Sequence, residues 1–120
     1  MKVPSALFAT GALVLLAVLC NAAAQLLIKR AAPAALLPLA QWFDPRLLTA
    51  VLLYGVSFIL TALVYARLPL SLASPLMAGA VFLLIGLGAV VLLGETLGPL
   101  RLSGMALVVL GIALLARDIG

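Results

Sequence analysis

Four long apolar runs decide what this chain can become. They extend from Leu7 to Ile28, from Leu47 to Ala66, from Leu70 to Leu93 and from about Pro99 to Ala116. A helix of about 20 apolar residues covers the roughly 30 Å hydrocarbon core of a bilayer. Strands are much shorter than these runs, and a lone segment in hydrocarbon satisfies its own backbone groups only as a helix. The runs therefore predict an all-α membrane protein. Its four transmembrane helices cover about 5–31, 46–66, 70–93 and 99–117, in one domain over 1–120.

The residues between the runs agree. Ala31-Ala32-Pro33 closes the first helix, and Pro38, Trp42, Asp44 and Pro45 mark a loop. Pro45 suits the first turn of the second helix behind Asp44, a good cap. Arg67-Leu68-Pro69 is a very short turn, and Gly94 and Gly98-Pro99 bracket the last one. Loops this short set neighbouring helices antiparallel, as a bundle. Trp42, Phe43 and Tyr65 suit anchors at the membrane interface.

Composition excludes most other classes. Of the 120 residues, 68% are hydrophobic and 8% charged, against about 45–50% and about 25% in soluble domains. Too few polar side chains remain to cover a water-soluble enzyme, and a disordered tail is excluded equally. The net charge of +4 comes from scattered Lys and Arg, so no nucleic-acid partner is expected. There is no His, one cysteine (Cys20) and three acids (Asp44, Glu95 and Asp118). No enzyme constellation, metal site or cofactor site is expected from that set. Lys2 with the first run has the outline of a cleavable secretion signal. The run continues through Leu26, Leu27 and Ile28 beyond the small residues Ala22-Ala23-Ala24, so a retained first helix is expected.

Orientation is nearly balanced. With four spans, Lys2, Arg67 and Arg117 share one side, and Lys29, Arg30, Arg46 and Arg101 the other. Positive-inside counting gives no clear answer. Either the signal is weak, or the chain inserts both ways and pairs with an inverted copy.

Polar residues inside spans are costly and therefore informative. Asn21, Gln25 and Lys29 lie four apart and form one stripe that drifts by about 40° per step. One reading is a polar track for a head group, with Lys29 contacting an anion. The other is that Asn21 and Gln25 bond neighbouring helices while Lys29 reaches back to the interface. Arg30, on the opposite face, reads as an anchor. Tyr54, Ser57 and Thr61 share a face of the second helix. They could line a cavity, or the two hydroxyls can be satisfied by their own helix, whereas a buried Tyr54 phenol needs a partner. Ser71, Ser74 and Pro75 follow at the start of the third helix, where Pro75 frees a carbonyl and can kink the chain.

Glycines and one acid complete the inventory. Gly104 and Gly111 are two turns apart on one face of the fourth helix, a candidate dimer contact. Gly79, Gly86 and Gly88 permit close packing or a bend in the third. Glu95 could bind a cation or proton, and reads otherwise as an ion-pair partner of Arg101 or as a cap of the fourth helix. A single four-helix bundle has little room for a substrate path, and transporters commonly place the site between two repeats. No repeat is evident within the chain. A dimer is expected, either of identical chains or with a sister subunit.

Arg67-Leu-Pro-Leu-Ser-Leu-Ala-Ser-Pro-Leu-Met-Ala-Gly79, then Leu-Leu-Gly94-Glu95-Thr-Leu97, then Gly104 to Gly111, resemble the drug/metabolite transporter superfamily. The likeness is to its four-helix members, the small multidrug resistance proteins and half-size EamA-type chains. Tyr54, Ser57 and Phe58 fall on that family's cavity-lining Tyr-x-x-Ser-Phe motif. Gly79 falls on the first glycine of its helix-three bend, with Val81 in place of the second. Gly104 and Gly111 match its dimer motif. The proton-coupling Glu of the family's first helix is Asn21 here, which cannot titrate, and the family's cavity Trp of helix three is Met77. The stretch from Asn21 to Lys29 is more similar to lipid-linked aminoarabinose flippase subunits of the bacterial inner membrane. That resemblance implies a multi-pass inner-membrane protein moving an undecaprenyl-phosphate sugar for lipid A modification. Asn21, Gln25 and Tyr54 would meet the sugar or head group and Lys29 the phosphate, in a cleft that also draws on Ser57, Ser74 and Met77. The alternatives are an exporter of small cations or metabolites and a helper subunit that transports nothing.

Overall fold

The computed structural model describes residues 5–117. Lys2 and Asp118 lie outside them. The described residues form four long helices: α1 (Ser5–Ala31), α2 (Pro45–Tyr65), α3 (Leu70–Leu93) and α4 (Pro99–Arg117), plus a short 3-10 turn at Leu39–Phe43. They run 27, 21, 24 and 19 residues, each long and apolar enough to cross a membrane. The predicted bounds hold except that α2 starts and ends one residue earlier than 46–66.

That offset has a local cause. Asp44 caps α2: its Oδ1 accepts from the Arg46 backbone N–H at 2.8 Å, and Pro45 fills the first position, which needs no donor. The Arg46 guanidinium turns back to the same carboxylate, with Nη2 to Oδ2 at 3.0 Å. The side-chain hydrogen bond from Arg46, then its backbone N–H, hold the Asp44 carboxyl below its ordinary value. At the far end of α3, Gly94 adopts φ +69°, a left-handed conformation that glycine takes without strain. Its N–H and that of Glu95 both donate to the Ala89 carbonyl.

Packing centres on α1, which lies against both α2 and α3, while α2 and α3 touch less. The core between these three helices is Ala17, Val18, Val64, Ala73, Met77 and Val81. Alanines dominate the buried positions of α1, with Ala17 and Ala24 at 0% exposure. Small side chains let helix backbones approach in lipid, where apolar burial gives no net drive. The large apolar residues point outward instead, among them Phe8, Phe58, Phe82, Leu100 and Leu107. In water such a surface would aggregate, whereas in a bilayer it is the solvated face.

Among the described residues α4 packs on α3 alone, and none of its own residues is buried. The contact is made by glycines of α3. A Cβ added at Gly79 would lie 2.9 Å from Ile112 Cδ1, 3.0 Å from Ile112 Cγ1 and 3.3 Å from Val108 Cγ1. A Cβ at Gly86 would meet Met105 Cε at 2.5 Å. Gly79 and Gly86 are two turns apart and form one flat stripe against Met105, Val108 and Ile112. Gly88 faces the other way, with Leu26 of α1 2.7 Å from its absent Cβ. α3 stays helical through Pro75 and Gly79, so the glycine expected as a bend point sits within an unbroken helix at the α4 seam.

Candidate functional site

The polar residues of the three packed helices meet in one cleft. Asn21 and Gln25 of α1, Ser57, Thr61 and Tyr65 of α2, and Ser74 and Met77 of α3 line a cavity of about 250 Å³, with Phe82 also in its wall. A second hollow on the outer side of α2 shares Asn21, Ser57 and Thr61 and adds Tyr54, Gly55 and Phe58. Asn21 therefore stands between two recesses.

Its chemistry is polar without an acid or a base. The Gln25 amide donates to Asn21 Oδ1 at 2.7 Å across one turn of α1. This fixes Gln25 Nε2 as donor and leaves the Asn21 amide N–H groups and the Gln25 carbonyl facing outward partners. Ser57 is 2% exposed, and its hydroxyl donates to the Ala17 carbonyl of α1 at 3.1 Å. That proton is committed, so Ser57 offers the cleft only acceptor lone pairs. Thr61 and Ser74 are half-buried, and Tyr54 and Tyr65 are more exposed at the rims. No side chain lining either hollow is a carboxylate or an amine. Such a surface can hydrogen-bond hydroxyls and amides; it holds no group that could exchange a proton for a cation near neutral pH.

The sequence-predicted residues divide. Asn21, Gln25, Ser57, Ser74 and Met77 come together in the cavity, and Tyr54 joins through the adjoining hollow. Lys29 does not line either; it is exposed one turn beyond Gln25 near the end of α1. Gly104 and Gly111 have no atom within 4 Å of an added Cβ, so their side of α4 is open in the single chain. Glu95 and Arg101 are both exposed and do not pair; the ion pair among the described residues is Asp44–Arg46. Nor does the Glu95 side chain hydrogen-bond to the start of α4.

Thr61 and Tyr65 continue the stripe of Ser57 at intervals of four and line the same cleft; the cavity role that the sequence leaves open for Thr61 extends to Tyr65, which reads there as an interface anchor. Arg30, expected as a simple anchor, donates from Nη2 to the Leu92 carbonyl at 2.6 Å and so ties α1 to the end of α3. Compared with known proteins, the chain matches no family model, no curated protein and no solved structure.

Proposed function

We propose that the chain is one subunit of a dimeric four-helix transporter of the small multidrug resistance type, antiparallel within each bundle. It flips an undecaprenyl-phosphate-linked sugar of the aminoarabinose kind across the bacterial inner membrane. The observation that carries this reading is an uncharged cleft in which six of the twelve lining residues are polar and offer only amide and hydroxyl groups. Amide and hydroxyl groups suit a sugar, and the lining lacks the carboxylate that proton-for-cation exchange requires. A lipid carrier also suits so small a protein, because its tail stays in the bilayer and only the head crosses.

Shape supports the dimer. The cleft of about 250 Å³ and the adjoining hollow are both open-sided in the single chain, which leaves room for a second chain to close them. The open side of α4 bearing Gly104 and Gly111 offers a place for the second chain, identical or sister.

Reconstitution separates the alternatives. Liposomes holding this chain, with its sister subunit if one co-purifies, should make a labelled polyprenyl-phosphate sugar accessible from the far leaflet. Lys29→Ala should weaken binding of the phosphorylated lipid. Movement of soluble cations without lipid would favour an exporter, and no movement of either would leave a helper subunit.

A further inference from the structure

The face of α1 turned away from the cleft carries a second site of different chemistry. Ala23, Leu26 and Leu27 of α1 with Leu92 of α3 wall a groove of about 310 Å³ that reaches Arg30. On a helix of about 100° per residue these α1 positions lie roughly 140–240° from Asn21. The groove is therefore separate from the polar cavity and does not rest on the flippase reading. It is shaped by a glycine: Leu26 lies so close to Gly88 that a Cβ there would come within 2.7 Å of Cδ1. From Ala23 to Arg30 the groove follows α1 for about 10 Å, most of the roughly 15 Å depth of one leaflet.

Arg30 is held at the groove, not waving free. One guanidinium N–H is bound to the Leu92 carbonyl at 2.6 Å. A guanidinium has five such donors in a planar fork suited to phosphate oxygens. Lys29, exposed beside it, adds positive charge at the same level. Glu95 is the acid nearest in sequence to that end of α3, and its carboxylate forms no ion pair with Arg30 among the described residues.

We propose that this groove retains an anionic glycerophospholipid of the surrounding bilayer. One acyl chain lies against Ala23, Leu26, Leu27 and Leu92, and the phosphate sits on Arg30. Apolar walls exposed to hydrocarbon select an acyl chain, and the fixed cation selects a negatively charged head over a zwitterionic one.

The test is native mass spectrometry of the purified protein, released from micelles containing equal phosphatidylglycerol and phosphatidylcholine of matched chains. Both lipids offer Arg30 a phosphate, and phosphatidylcholine adds a trimethylammonium that the guanidinium repels, so the first phosphatidylglycerol bound should be retained about fivefold over phosphatidylcholine. Arg30→Ala should abolish that preference, while Lys29→Ala keeps most of it. Ala23→Phe, which leaves the cation and fills the groove, should lower retention of both lipids, and it decides the matter if Arg30→Ala does not fold. Equal retention of the two lipids by the native chain, an unaltered preference in Arg30→Ala, or undiminished binding in Ala23→Phe would each overturn the proposal.

Discussion

Replacing Gly79 by Val tests how α4 is held. The new Cβ would start 2.9 Å and 3.0 Å from Ile112 Cδ1 and Cγ1 and 3.3 Å from Val108 Cγ1, where carbon atoms prefer about 3.5–4.0 Å. The Ile112 tip can rotate, but its Cγ1 and the branched Val108 cannot yield without moving α4. The helix must withdraw by roughly half an ångström or more to restore ordinary contact. Overpacking of this kind costs about 1–3 kcal/mol. Here the cost falls wholly on one seam, because α4 packs on no other helix among the described residues. Gly104→Val is the matched control: it makes the same change in helix propensity on the same scaffold, but nothing lies within 4 Å of its Cβ. Both variants are to be unfolded by sodium dodecyl sulfate titration in dilute mixed micelles holding one chain each. Gly79→Val should be less stable than Gly104→Val by about 1–3 kcal/mol, at least a fivefold shift in the folded ratio. Equal stability within about 0.5 kcal/mol, inside the usual scatter of inert surface substitutions, would refute the close α3–α4 contact.

Two further outcomes follow from single hydrogen bonds. Ser57→Ala removes the tie from α2 to the Ala17 carbonyl of α1; that carbonyl keeps its own helical bond, so the loss should be only about 0.6 kcal/mol and at most about 1.7, read by the same titration. The Asp44 carboxyl is held below its ordinary value by Arg46, so its contribution to the start of α2 is complete above the ordinary carboxylate range and is lost as pH falls through the depressed value. The hydrogen-exchange protection factor at the first turn of α2, taken relative to the intrinsic rate at each pH, should therefore fall only under strong acid, and Asp44→Ala should show the lower protection already at neutral pH; a protection factor in the native chain that stays constant into strong acid would remove the capping role.

Much of the fold was legible because hydrocarbon leaves a chain few options. Each apolar run had to become a helix, and Pro45, Gly94 and Pro99 marked ends that backbone chemistry enforces. Half of the cleft was legible for a related reason: Asn21, Gln25 and Ser57 are costly in a span unless something faces them. What the sequence hid was which helices meet. Gly104 and Gly111 stand two turns apart on one face, yet Gly79 and Gly86 have the same spacing and are the pair set against a neighbouring helix. Nothing in the α3 sequence alone says that its flat side receives α4 while Gly88 receives Leu26. Arg30 was hidden by distance, since its carbonyl partner lies 62 positions along the chain. The 3-10 turn at Leu39–Phe43 was too short to carry a periodic signal; it is pinned by Trp42 Nε1–H donating to the Leu36 carbonyl at 3.0 Å.

The isolation of α4 bears on how the protein is made and how it can diversify. A ribosome has delivered every residue of the polar lining by the time Phe82 is added, so three helices can assemble the recess before the last one leaves the insertion machinery. Mutations accumulating in that final segment alter the outer surface the chain presents, while the chemistry inside the recess is inherited unchanged.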